Sequence, residues 1–306
     1  DTVPSLKHGF KRKMRGPGSP KISDDPEDHG SKEALEYLRG TDFGEDEFLF
    51  LNLMDAHNPY HPPEEYRTVE PVRIHGLKAT VNEPVADPER IKAAYNDSVR
   101  YLSDMYAKMF KEIHDDFDYI VTLSDHGELL GEHDSWEHLC GIYPELTHVP
   151  LSIYSTNEND ETCDDMVSLI DVYDTVLEAA GADMSETEHE SKGKNILADF
   201  EPRDTLSEFH GLSRLHLRSL NQDWLDRVSY METDLKGVAV PPAYYGYERF
   251  DGFEETGEAS DGDLENVRSD RLGRLVDELE VRASDEDNYE GMSEDVIERL
   301  EDLGYA

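Results

Sequence analysis

The chain has 306 residues, enough to bury a sizeable core as one large domain, or as one domain with an appendage. Its 71 Asp and Glu against 29 Lys and Arg give a net charge of -42, a field that repels nucleic acid and anionic membrane surface. No apolar run of about 18 residues marks a transmembrane helix, and two cysteines, Cys140 and Cys163, are too few for a disulfide framework.

Residues 1–30 are rich in Gly, Pro and Lys/Arg and read as an irregular loop segment. Ser31 is placed to cap a helix through Leu38, which Gly40 ends. Phe48-Leu49-Phe50-Leu51-Asn52-Leu53-Met54 is the pattern of a strand covered on both faces, and it runs into Asp55-Ala56-His57-Asn58-Pro59-Tyr60 and a Pro-rich loop to Pro63. From Pro88 to Ile113, apolar residues at Ile91, Tyr95, Val99, Leu102, Met105, Tyr106, Met109 and Ile113 have helical spacing, with Asp87-Pro88 as the start signal. Tyr119 to Leu123 reads as a β-branched strand ending in Ser124-Asp125-His126-Gly127-Glu128, and Val149 to Tyr154 as another strand. Asp171 is placed to cap a helix through Ala180, ended by Gly181.

After about residue 235 the periodicity weakens. Residues 251–290 are acid- and Gly-rich and read as mobile, and Ser293 caps a last short helix with Val296, Ile297, Leu300 and Leu303 on its apolar side. Strands alternating with helices predict an α/β fold with a doubly wound, largely parallel sheet. The expected organisation is a loop segment over 1–30, an α/β domain over 31–235 and an acidic subdomain or tail over 236–306. Apolar residues make up 37% and fall in periodic segments, so the acidity is not that of a disordered chain. It suits a high-salt cytoplasm, where screening removes self-repulsion. Export stays open, because the sequence starts at Asp1 rather than Met.

Asp125 and His126 offer an oxygen and a nitrogen where a strand gives way to a loop, the place where ligands bind in open α/β sheets. The pair suits a divalent metal of borderline hardness, with further ligands from elsewhere. A plainer reading stands beside it, in which Asp125 caps a following helix and His126 is a polar loop residue. His57, just beyond the run at 48–54, and His138 are candidates to bind an anionic ester oxygen or protonate a leaving alkoxide; hydrogen-bonded loop histidines are the alternative. His133 is a weaker, supporting candidate. Asp261-Gly262-Asp263 and Asp285-Glu286-Asp287 lack the rest of a calcium loop, and the Asn96-Asp97-Ser98 sequon falls inside the predicted helix.

The segments Phe50-Leu51-Asn52-Leu53-Met54-Asp55-Ala56-His57-Asn58-Pro59-Tyr60, Ser124-Asp125-His126-Gly127-Glu128-Leu129-Leu130-Gly131-Glu132-His133, Thr147-His148-Val149-Pro150-Leu151, Ser168-Leu169-Ile170-Asp171-Val172-Tyr173-Asp174-Thr175-Val176 and Gly193-Lys194-Asn195 resemble, in this order, the sulfatase family of the alkaline-phosphatase superfamily. The resemblance implies an alkaline-phosphatase-like α/β core, a divalent metal (calcium in most sulfatases, Mn2+ or Zn2+ for a phosphoesterase) and hydrolysis of a sulfate ester carried by a small molecule or glycan. It implies Asp125 and His126 as metal ligands and His57 as a contact to the sulfate or leaving group. Where the family often has a Lys after the Gly-Glu-His segment, the nearest counterpart here is His138.

Two family features are missing from the sequence: a first strand bearing further carboxylate ligands, and a C-x-P-S-R type motif whose Cys becomes the formylglycine nucleophile. Thr2-Val3-Pro4-Ser5-Leu6 matches that motif only by coincidence. The expectation is therefore a partial chain, incomplete at its N-terminus, with little activity alone. A phosphodiesterase or phosphonate monoester hydrolase of the same superfamily, or a non-catalytic remnant with an anion pocket, are the competing readings. The alcohol, the metal and the oligomeric state are not fixed by the residues.

Overall fold

The structure is a computed structural model; it describes residues 28–81, 85–156, 162–182, 191–198, 200–212, 217, 222–259 and 267–279. The terminal helix expected at Ser293, both Asp-rich calcium-like segments and residues 1–27 of the first loop lie outside those residues.

Helix α1 (Ser31–Arg39) packs on α3 (Pro88–Ile113), while α2 (Gly76–Val81), between them in sequence, packs elsewhere, with Leu77 beside Cys140 and Met231. Ser31 does not cap α1. Its hydroxyl donates to the buried Asp55 carboxylate, while Asp28 accepts the backbone N–H groups of Gly30 and Lys32 at 3.0 and 3.1 Å. Helix α3 keeps the expected bounds, and Asp87 caps it by accepting the Arg90 N–H at 3.1 Å. Its buried stripe is Ile91, Ala94, Ser98, Tyr101, Met105, Met109 and Ile113, so Val99, expected in the core, is exposed. Asp97 is buried beside that stripe because it accepts from Thr68 N–H at 2.6 Å and pairs with Arg100.

Residues 48–54 correct the expectation of a doubly covered strand. The segment forms no ladder among the described residues. Leu49, Leu51 and Leu53 pack on the α1–α3 cluster, and Phe48 and Phe50, 74% and 76% exposed, point the other way. An extended chain alternates its faces, and among the described residues only one face here has a neighbour.

Strand β1 (Tyr119–Leu123) pairs antiparallel with β4 (Leu151–Ser155), with Leu123 opposite Leu151. Between them come β2 (Leu129–Leu130), β3 (Trp136–Glu137) and α4 (Pro144–Thr147). Every strand pair among the described residues is antiparallel; the parallel neighbours expected of β1 are not among them. Helix α5 (Leu169–Ala179) begins at Ser168 rather than Asp171. Asp171 sits one turn inside and reaches back to the Ser168 N–H at 2.8 Å.

The weak pattern after residue 235 conceals a sheet. β5 (Thr205–Phe209), β6 (Leu235–Val240), β7 (Tyr244–Arg249) and β8 (Gly252–Thr256) pair in that order, with α6 (Gln222–Val228) between the first two and α7 (Gly273–Glu278) after the last. Leu235, Tyr245 and Tyr247 face Leu129, Ile142, Tyr143 and Leu146, while Val238, Val240 and Tyr244 face Val267, Leu272 and Leu275. Both faces are covered, so the strands read as mixed apolar runs rather than clean alternation. One face of this sheet thus supports β2 and α4, which carry the loop after β1.

Candidate active site

The loop after β1 is fixed by its backbone. Ser124 Oγ donates to the His126 carbonyl at 2.6 Å, and the His126 N–H donates to Asp125 Oδ1 at 3.0 Å. The Gly127 N–H donates to the Leu146 carbonyl at 2.9 Å. A Cβ at Gly127 would lie 1.9 Å from the Glu145 carbonyl oxygen, so only glycine lets the loop lie down on α4.

This anchoring sets the side chains. His126 Nδ1–H donates to the Gly127 carbonyl at 2.8 Å, which leaves Nε2 with its lone pair; Asp125 Oδ1 is 3.7 Å from that nitrogen. No helix follows Asp125, so the capping alternative does not apply. His138, just after β3, stacks on His126 with ring centroids 4.0 Å apart. Its Nδ1–H donates to Glu128 Oε2 at 2.8 Å, and the Tyr60 hydroxyl donates to Glu128 Oε1 at 2.7 Å. His57 lies edge-on to His138 at 5.5 Å, and its Nδ1–H donates to the Asn58 carbonyl at 2.7 Å.

His57, Asp125, His126 and His138, the four residues singled out in the sequence, therefore meet at the end of β1. His133 does not join them. Its Nε2 lies 3.1 Å from Glu145 and its ring stacks on Tyr143 at 4.1 Å, behind the Gly127 contact.

Sequence reasoning missed four residues of this cluster: Asn58, Tyr60, Glu128 and Glu137. Asn58 donates to Glu137 Oε1 at 2.6 Å and to the Ile74 carbonyl at 2.9 Å, which orients the segment carrying His57. Glu137, at φ 62°, also accepts the Gly76 N–H at 2.7 Å. Asn58, Tyr60 and Glu128 stand within the motifs that flagged the site. Glu137 had no such signal, since an acid in a chain of 71 carries no information by itself.

Burial dominates the electrostatics. It pushes the Glu137 carboxyl up to about 7, against its two hydrogen-bond donors and with the Glu128 charge adding to the rise. Burial pulls His57 below its ordinary value and works against the imidazolium of His138, but the Glu128 carboxylate outweighs it and leaves His138 raised. His126, Glu128 and His138 each offer one ligand atom within 4.8 Å of the others. Two imidazoles with committed Nδ1 protons, beside the Asp125 carboxylate, fit a divalent cation.

The family model for sulfatases matches residues 21–182, more than half of the chain. The chain belongs to the sulfatase family. Among curated relatives, this sulfatase-family chain is 34% identical over 92 residues to an uncharacterized sulfatase, YidJ, of Escherichia coli strain K12. It is 32% identical over 105 residues to arylsulfatase K of Xenopus laevis. Each match takes in 30% of this chain, and they cover 18% and 19% of those relatives. Among solved structures, a putative sulfatase from Bacteroides thetaiotaomicron superimposes with a TM-score of 0.57 at 15% identity, covering 86% of this chain and 64% of that one. The α/β fold of this sulfatase-family chain is thus of the alkaline-phosphatase-like kind.

Proposed function

We propose that this chain carries part of the active site of a metal-dependent hydrolase of sulfate esters, acting on a sulfated small molecule or glycan. The observation that supports it best is the meeting of His57, His126 and His138 beside Asp125 at one end of β1. Asp125 and His126 hold the cation, which when bound supplies positive charge to the ester oxygens. His138 keeps a proton on Nδ1 against Glu128, and its raised affinity for a second proton suits it to protonate the departing oxygen. His57 is kept neutral by burial, with Nδ1–H fixed on a carbonyl, and presents Nε2 to the same region.

The relatives' names, sulfatase and arylsulfatase, favour sulfate. The nitrogen-rich cluster favours a second reading, a phosphodiesterase or phosphonate monoester hydrolase of the same superfamily using Mn2+ or Zn2+ in place of Ca2+. The 306 residues contain no C-x-P-S-R sequence, so slow turnover by this polypeptide alone is part of the proposal. A net charge of -42 supports a high-salt cytoplasm as its setting.

The test offers an aryl sulfate and an aryl phosphate diester to the chain in molar KCl, with Ca2+, Mn2+ or Zn2+. Slow sulfate hydrolysis that is lost in His57→Ala and His138→Ala supports the first reading. Preference for the phosphate diester selects the second. Sulfate binding without turnover of either ester would sink both and leave an anion-binding module.

A further inference from the structure

In a chain with 71 acids and 29 Lys and Arg, a spot where cations gather is the exception. One such spot joins α2 and α6. Lys78 Nζ lies over the Trp224 ring, 5.6 Å from its centroid, and the Arg227 guanidinium lies over the same ring at 5.6 Å. Both are within cation–π range. Trp224 and Arg227, three residues apart on α6, share a face of that helix. Asp226 falls on the opposite face by helical spacing, where it accepts from the Gln222 amide at 2.8 Å. Asp223, one turn before Arg227, is the acid of α6 nearest the shared face.

This patch is fastened to the histidine cluster from two sides. Leu77, Cys140 and Val228 share one buried cluster, so α2 and α6 pack together against the residues that follow His138. Gly76, two residues before Lys78, donates its N–H to Glu137 at 2.7 Å, and Ile74 exchanges hydrogen bonds of 2.9 and 3.1 Å with Asn58, the residue after His57. A Cβ at Gly76 would strike the Glu137 carboxylate, so the start of α2 is pressed against the chain that carries His138. Lys78 thus stands within one helical turn of the contacts that hold His57 and His138 in place.

Long basic side chains laid on an aromatic ring keep their charged heads in water while the ring fixes their place. Lys78 and Arg227 are exposed, and among the described residues Lys78 has no ion-pair partner. Burial and then the Lys78 charge pull His75 below its ordinary value, so the positive potential reaches back toward the cluster. A net charge of -42 opposes the approach of an anion. Two cations on one indole supply a local attraction, with apolar ring surface beside it.

We propose that Lys78, Trp224 and Arg227 form an outer subsite for a second anionic group, a sulfate or a carboxylate, on the sugar next to the one that carries the scissile sulfate. The inference rests on the sulfate-ester reading above and narrows its substrate class to polyanionic glycans. The two cations take the acidic group by charge-assisted hydrogen bonds, and the indole beside them takes the C–H surface of the sugar.

The experiment measures binding to the full chain in ~1 M KCl, by calorimetry and tryptophan fluorescence. The probes are an unsulfated disaccharide, its monosulfated form, and two forms with a further sulfate or a carboxylate on the neighbouring sugar. Either second acidic group should tighten binding about 10-fold over the monosulfated form. It should also change the tryptophan emission, and Trp224→Phe should abolish that change. Lys78→Gln and Arg227→Gln should each cut the ratio of the two affinities to about 2- to 3-fold. Lys92→Gln, on α3, should keep the full ratio.

A second acidic group that adds nothing to the wild-type affinity overturns the subsite. So does a full ratio in the Lys78→Gln, Arg227→Gln double variant, or equal binding of the unsulfated disaccharide. If a variant does not fold, the wild-type ratio decides by itself. The expected ratio without hydrolysis counts against the proposed reaction and leaves the subsite standing. Hydrolysis of 4-nitrophenyl sulfate without that ratio counts against the subsite alone.

Discussion

At the scale of single residues, the site depends on one position without a side chain and one buried acid. Replacing Gly127 with Ala forces a methyl against the Glu145 carbonyl, and either the loop or α4 must move. A loss of about 2–4 kcal/mol in denaturant unfolding is expected, with weaker metal binding because Asp125 and His126 move with the loop. A stability unchanged within about 0.5 kcal/mol would show that the contact relaxes freely. Glu137 gives a pH signature in chelator-treated protein. Its carboxyl is raised from 4.5 to about 7 in the fold, so the folded state holds a proton that the unfolded chain releases. Its contribution is present in full below 4.5 and is lost as the pH rises through about 7. The loss is on the order of 3 kcal/mol. Glu137→Gln should flatten that part of the stability–pH curve, and a curve of unchanged slope would refute the assignment.

Among the elements, legibility followed the number of covered faces. Helix α3 was legible because one face is buried and one is wet, and Asp87 announces its start. Asp87→Ala should cost about 1 kcal/mol in denaturant unfolding, from the lost cap at Arg90. The detail of its stripe was not legible. Asp97 and Ser98 are buried through tertiary hydrogen bonding or packing, and spacing alone assigned Val99 to the core in their place. Strands β6 and β7 were illegible for the opposite reason, since cover on both faces removes the alternation. Residues 48–54 carry the same apolar signature with cover, among the described residues, on one side only. Phe48→Ser with Phe50→Ser should reduce binding of an apolar dye and self-association in light scattering, with little change in stability, because neither ring is buried. Of the site, His57, Asp125 and His126 stood out because each follows an apolar run within a family-like segment, and His138 stood out only as the counterpart of the family's Lys; the structure places the four side by side. Glu137 did not stand out, because its role is defined by Asn58 and Gly76, far away in sequence.

For the whole molecule, charge is the dominant property. With -42 over 306 residues, self-repulsion is screened only when the Debye length is short. Far-UV circular dichroism should show loss of structure on dilution from molar to ~0.01 M KCl, where that length reaches about 30 Å. Cooperative unfolding of equal midpoint in both would remove the high-salt reading. Composition, α3, β1 and the Asp125-His126 signal followed from the sequence by itself. Each rests on local spacing or on a short ordered motif, and such information survives in one dimension. Only the tertiary structure decided that His138 stacks on His126, that Glu128 and Tyr60 hold it there, and that a sheet near the C-terminus carries the loop from below. Those contacts join residues brought together by hydrogen bonding and packing, which no local period encodes.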